Sequence, residues 1–77
     1  MTDSHLRRGD VVRLFLAEGD RERWEVKTVG NEKVAVRRID DGRPGAWDSW
    51  RHEWVVDQLV VGNMIREGAR LFPERDP

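Results

Sequence analysis

Arg23-Trp24-Glu25-Val26-Lys27-Thr28-Val29, then Gly30-Asn31-Glu32, then Lys33-Val34-Ala35-Val36-Arg37-Arg38-Ile39: this stretch decides the fold. It predicts two β-strands joined by a tight turn. Trp24 and Val26 share one face of the first strand, and Val34 and Val36 share one face of the second, with the period of two that a half-buried strand requires. Gly30-Asn31 supplies the tolerance of positive φ that a short hairpin connection needs. Val29 falls out of phase with Trp24 and Val26, so a bulge or the end of the pleat is expected near the turn. Arg38 is in phase with Val34 and Val36 while Ile39 is not, which predicts a second bulge or a corner at residues 37–39.

Outward from the hairpin, the next signal lies upstream. Gly9-Asp10 opens the run Val11-Val12-Arg13-Leu14-Phe15-Leu16, which has strand length and is rich in β-formers. Val12, Leu14 and Leu16 form its expected inward set, and Phe15 points outward. Residues 17–22 are a polar connector around Gly19-Asp20. Residues 1–8 are polar and expected to fray.

Downstream, Asp40-Asp41-Gly42-Arg43-Pro44-Gly45 combines two glycines, a proline and two aspartates, and reads as an irregular loop. Residues 46–61 support two readings. Trp47, Trp50 and Trp54 are spaced three and four apart, as on a helix. The β-branched pairs Val55-Val56 and Val60-Val61 oppose a helix. The favoured expectation is a strand at about 47–54, a one-turn 3₁₀ element at 56–58 and a closing strand at 59–61. Gly62-Asn63 should end the domain, with a short amphipathic turn over Met64 to Phe72 capped by Asn63, then a polar tail.

Composition bounds what such a chain can do. Its 77 residues hold one domain and one small core. Apolar and charged residues each make up 38%, a lean balance in which four tryptophans, burying roughly 200 Å² apiece, must supply much of the interior. A net charge of −1 gives no global field to steer the chain onto nucleic acid or membrane. No cysteine is present, so disulfides and thiolate metal sites are excluded. No apolar stretch reaches membrane-spanning length and no signal-peptide core is visible, so a cytoplasmic protein with no membrane partner is expected. Twelve of the fourteen basic residues are arginine, a bias that GC-rich coding alone can produce.

The order of elements resembles a small SH3-like barrel of the Tudor or KOW kind, covering residues 9–61. The Gly-Asp-Val-Val first strand, the Trp-Glu-Val…Gly-Asn-Glu-Lys-Val-Ala-Val hairpin, the Trp-containing strand, the one-turn element and the Leu-Val-Val closing strand carry the likeness. It implies an all-β fold, a five-stranded barrel with a short C-terminal helical turn or tail (residues 62–77). It also implies a non-catalytic module of the sort found in translation and transcription factors and in small bacterial and phage accessory proteins.

Catalytic chemistry has few carriers. Ser4 and Ser49 are the only serines, and His5 and His52 the only histidines. Ser49 and His52 would point to opposite faces of a strand. His52-Glu53 with Asp48 and Asp57 does not match a helical metal site, and no glycine pattern cradles a phosphate. Neither metal nor cofactor is expected, and the chain is not expected to be an enzyme.

Binding surfaces are easier to nominate. Trp47 and Trp50 flank the 40–45 loop, and a partly exposed ring there could cage a cation or stack a base; equally, all four tryptophans could serve the core. Lys33, Arg37, Arg38 and Arg51 come from adjacent strands. Residues 21–38 hold six basic and three acidic side chains, a local surplus of three. An ordinary solvated sheet surface, with arginines paired to Glu22, Glu25 and Glu32, is the plainer reading. The functional expectation is a binding module acting through a protein partner, as a monomer or small homo-oligomer. The alternatives are direct nucleic-acid binding through the basic strand face and assembly through the C-terminal segment.

Overall fold

The computed structural model describes residues 2–67. Five antiparallel strands and one helix follow in the order β1 (Val11–Phe15), β2 (Arg21–Val29), β3 (Lys33–Asp40), β4 (Arg43–Arg51), α1 (His52–Val61) and β5 (Met64–Arg66). Strands 1 to 4 form a meander, and α1 returns the chain so that β5 pairs with β1. The sheet order is β4-β3-β2-β1-β5, with β4 and β5 as its edges. The fold is therefore mostly β, around an open sheet rather than a demonstrated closed barrel.

The two strands of the hairpin form as expected, but neither Gly30 nor Asn31 takes the positive φ that the sequence reading assigned to the turn. Val26 pairs with Val36 and Val29 with Val34, and the register slips by one between Val26 and Thr28, leaving Lys27 as the extra residue. That bulge accounts for the phase of Val29. A second slip lies between Arg37 and Ile39, where Gly45 and Ala46 of β4 together oppose Arg38. Trp24, Val26, Val34 and Val36 are all buried on one face, joined by Val12, Trp50, Val55, Met64 and Leu6, with Leu14 and Leu59 packed against them. Trp24 meets Trp50 edge to face at 5.3 Å, and its indole N–H donates to Glu22 Oε1 at 3.1 Å, so the buried ring leaves no unpaired donor.

Four further sequence expectations are corrected. The 40–45 loop shrinks to a two-residue turn. Asp41 (φ 52°) and Gly42 (φ 80°) both take positive φ, and Asp40 already pairs with Arg43 across it. Asp-Gly is the pair that such a hairpin turn selects, and Pro44 fits inside β4 because an edge strand need not donate every N–H.

The second correction is α1, which replaces the expected 3₁₀ turn and closing strand. His52, Val55 and Leu59, spaced three and four apart, turn toward the core, and that burial outweighs the modest propensity cost of the valine pairs. The His52 N–H donates to the Glu32 carbonyl at 3.0 Å, satisfying one of the orphan donors at the helix start. Gly62, at φ 87°, ends the helix in the left-handed conformation, and the amides of Gly62 and Asn63 both return to the Gln58 carbonyl. Trp54, assigned to the core with Trp50 as a strand neighbour, lies instead on α1, 38% exposed, its ring 5.3 Å from that of Trp50.

Third, Met64–Arg66 is a strand rather than a helical turn: Met64 pairs with Leu14 and is buried. The rest of the expected C-terminal turn and tail lies outside the described residues. Fourth, residues 2–8 pack. Ser4 and Leu6 are 3% and 2% exposed. Leu6 joins the core, and Ser4 meets α1: its amide and Oγ lie 3.2 and 2.8 Å from His52 Nδ1, while His52 Nε2 donates to the Gly30 carbonyl at 2.8 Å. Arg66 Nη2 donates to the Ser4 carbonyl from the other side. The packed unit thus reaches from Ser4 to Arg66, beyond the 9–61 span of the sequence reading. No helix among the described residues is long and apolar enough to cross a membrane.

Because the N-terminal segment closes the core, Leu6→Ala is expected to destabilise the chain by about 2–4 kcal/mol, the range for a buried leucine. Ser4→Ala should cost about 1–2 kcal/mol through its lost hydrogen bond to His52. Urea unfolding followed by tryptophan fluorescence measures both. Midpoints unchanged from the parent would mean that the segment contributes nothing to the folded state.

Candidate functional site

Strand pairing settles which side chains share a surface. In β3 and β4, Val34, Val36 and Trp50 point inward, so the alternate residues point outward. That outward set is Lys33, Ala35 and Arg37 opposite Arg51, Ser49 and Trp47. It holds three cations and an indole and no carboxylate. The aspartates of these strands, Asp40 and Asp48, belong to the other alternation. A local basic face therefore exists on a chain whose net charge is −1.

Trp47, opposite Arg37, sits at one end of this face and is 56% exposed. The Arg37 guanidinium lies over its ring at 5.0 Å, and Arg37 Nε donates to the Gly45 carbonyl at 3.0 Å. The bulge opposite Arg38 places that carbonyl there. One side of the guanidinium is thus fixed by the backbone, and stacking on Trp47 orients its plane. Lys33 is exposed at the start of β3 and makes no ion pair among the described residues. Arg51, across from it, is 3.7 Å from Glu53 with both side chains more than 60% exposed, a pair of little energetic weight.

Two of the sequence-nominated residues lie elsewhere. Trp50 is 7% exposed, inside the core between Trp24 and Trp54. Arg38 follows Arg37 in an extended strand and so projects to the opposite side, 6.0 Å over the Trp24 ring. It donates to Asp40 Oδ1 at 2.8 Å and lies 3.6 Å from Glu22. The hydrogen bond to Asp40 raises its pKa above the ordinary arginine value. Phe15, considered as an outward apolar contact, is partly buried with Arg21 at 5.8 Å over its ring. Of the segment proposed for assembly, Met64 is buried and Ile65 is exposed, near the exposed Val60 and Val61 at the end of α1.

Lys27 and Arg43 extend the site and were not nominated from sequence. Together with Glu25, Arg37, Arg38, Ile39, Gly42 and Pro44 they line a shallow depression of ≈ 220 Å³ next to Arg37, the cross-strand partner of Trp47. Lys27 reaches it as the bulged residue of β2, and Arg43 because the hairpin turn is tight. Lys27 Nζ is 3.5 Å from Glu25, while Arg43 has no ion pair among the described residues. The out-of-phase Val29 was the available signal for Lys27; reading Asp41-Gly42 as a two-residue turn would have revealed Arg43.

A larger cleft, ≈ 530 Å³, lies between the β1–β2 connection and the β3–β4 turn. Two of its three arginines are matched, Arg38 by Asp40 and Glu22 and Arg23 by Glu67, while Arg21 lies over the Phe15 ring and Asp20 and Asp41 add negative charge. Glu67 also meets Arg13, at 3.1 Å. Among the described residues no group of three or more His, Asp or Glu side chains is placed to hold a metal ion. Ser49 does not meet His52; Ser4 does, and both of that pair are buried. No protein-family model, no curated protein and no solved structure matches the chain.

The hydrogen bond from Arg23 holds the Glu67 carboxyl below its ordinary pKa, with Arg13 acting in the same direction. A depressed folded pKa means that the contribution to stability is present above the unfolded value and lost as pH falls through the folded one. Glu67→Gln should therefore lower stability at neutral pH by about 0.5–1 kcal/mol, since the arginines are solvent-exposed. The gap to the parent should close below about pH 5. Thermal melts of both chains across pH 3–8 measure this; a gap that does not change with pH would refute the carboxylate's role.

Proposed function

We propose that the chain is a small, non-catalytic binding module of the SH3-like kind that meets a macromolecular partner across the outer face of β3 and β4. The strand order is compatible with the SH3-like reading: a four-strand meander is returned to β1, although through a ten-residue helix and a later strand, Met64–Arg66, in place of the one-turn element and Leu-Val-Val strand that the resemblance implied. The observation that carries the site is Trp47. A ring 56% exposed adds little to the core, and it stands beside Arg37 on a face that continues to Lys33 and Arg51 with no acidic side chain from β3 or β4 between them. A large aromatic beside an ordered arginine is the composition of a binding hot spot.

The partner this face suits presents negative charge in an extended form. An acidic protein segment is one such partner, because β4 is a nine-residue edge strand along which an extended chain could add. Single-stranded nucleic acid is the other, because every base offers a face to an indole. The neutral total charge suits either, since the charge that matters is local.

Titrating the ¹⁵N-labelled chain with a short poly-glutamate peptide and, separately, with oligothymidylate tests the site. Amide and indole shifts should move at residues 33–37 and 43–51 with at least one probe. Shifts centred on the 530 Å³ cleft or on α1 would place the site elsewhere. No shift with either probe would overturn the reading.

A further inference from the structure

Resting on that reading, we infer that the ligand is single-stranded nucleic acid, held by an unpaired base on Trp47 and a neighbouring phosphate in the depression formed by Lys27, Arg37 and Arg43. Three independent features converge there. The exposed ring has Arg37 against it at 5.0 Å, leaving indole surface open for a planar group. Arg37 is oriented by the Gly45 carbonyl through Nε, so its terminal nitrogens stay available for a phosphate. The depression beside it is lined by four cations, Lys27, Arg37, Arg38 and Arg43, against one carboxylate, Glu25; Lys27 partly neutralises Glu25 at 3.5 Å, and Arg38 is itself matched by Asp40 and Glu22.

The face continues the same way. From Arg37 and Trp47 to Lys33 and Arg51 is four residues of strand, about 13 Å. A strand of phosphates leaving the depression would meet cations along that length and no carboxylate from β3 or β4. An acidic peptide would use the same cations but need not offer an aromatic face to Trp47, whereas every nucleotide of an unpaired strand does. A duplex would meet the cations, but its paired bases could not reach the ring. The stacking residue is what selects unpaired strands.

The test uses the full chain and oligothymidylate of about ten nucleotides, within the span of one small β module. Binding is followed by fluorescence anisotropy between about 50 and 200 mM salt. Micromolar affinity is expected, weakening with salt with a log–log slope of about −2, as for three phosphates at about 0.7 each on a single strand. Trp47→Ala should weaken binding about 5- to 150-fold and remove most of the tryptophan quenching. Lys33→Glu/Arg43→Glu should weaken it at least about tenfold and flatten the slope by about 1.4, the share of two contacts. Both residues are exposed and unpaired among the described residues, so these variants should fold, as circular dichroism verifies. Arg7→Glu/Arg8→Glu changes net charge equally on the N-terminal segment and should leave affinity within about twofold.

Equal weakening by the two double variants would reduce the effect to overall charge and overturn the inference. So would duplex binding as tight as single-strand binding, or an unchanged affinity in Trp47→Ala. Poly-glutamate binding at this face without oligonucleotide binding would overturn the nucleic-acid inference and leave the module reading standing. Binding of neither would remove both.

Discussion

The imidazole of His52 is the constraint on which the closed core depends. It is 3% exposed and joins three distant parts of the chain: α1, which it opens; Ser4, which bonds its Nδ1; and the β2–β3 turn, whose Gly30 carbonyl accepts from its Nε2. Its own amide donates to Glu32 in that same turn. A sheet of four consecutive strands has one apolar face with nothing over it, and here a ten-residue helix and a seven-residue N-terminal segment must cover it. Neither is long enough to hold itself by regular hydrogen bonding alone. A side chain with two bonding nitrogens at fixed angles fastens both to the hairpin at once. The Ser4 amide is a donor, so Nδ1 accepts, and Nε2 carries the hydrogen that it donates to the Gly30 carbonyl.

That arrangement explains what the sequence could and could not convey. The hairpin was legible because its pattern is local: Trp24, Val26, Val34 and Val36 alternate, Val29 breaks phase, and the bulge at Lys27 is the answer to that break. The order of elements around it was legible for the same reason. The helix was not. Val55-Val56 and Val60-Val61 argue locally for strand, and only the position of His52 and Val55 over a finished sheet decides otherwise. Nor was the N-terminal segment legible. Two of its residues, Ser4 and Leu6, are buried among polar neighbours that are not, and their partners lie far along the chain. Long-range contacts of single residues leave no periodicity to read.

The basic face shows a subtler limit. Lys33, Arg37, Arg38 and Arg51 were nominated together, yet Arg37 and Arg38 are consecutive in a strand and must diverge. Three of the four share the outer face, and the fourth goes to the rim of the core. Arg43, opposite Asp40 at the turn, reaches the same depression, although its sequence context of Asp, Gly and Pro reads as loop. A two-residue turn converts that context into the start of β4 and brings Arg43 beside Arg37 and Lys27. Turn length, more than composition, determined which cations assemble.

Arginine over an aromatic ring recurs in this chain, and the three instances separate structure from candidate function. Arg21 lies over Phe15, Arg38 over Trp24 and Arg37 over Trp47. In a chain with 38% apolar residues the stems of long cations serve as covers for rings that the core cannot fully enclose. Arg38 fits that role: its ring is buried and two carboxylates match its charge. Arg37 does not. Its ring remains 56% exposed, so little area is being protected, and its one fixed partner is a carbonyl; its cross-strand neighbour Glu25 is paired with Lys27 instead. A cover over a buried ring with its charge neutralised is spent on the fold. An oriented arginine on an open ring, with its charge still available, has binding capacity left over. That difference, set by whether a carboxylate is actually paired with the arginine, is why the outer face at Trp47 and not the Trp24 rim is the surface we propose for a ligand.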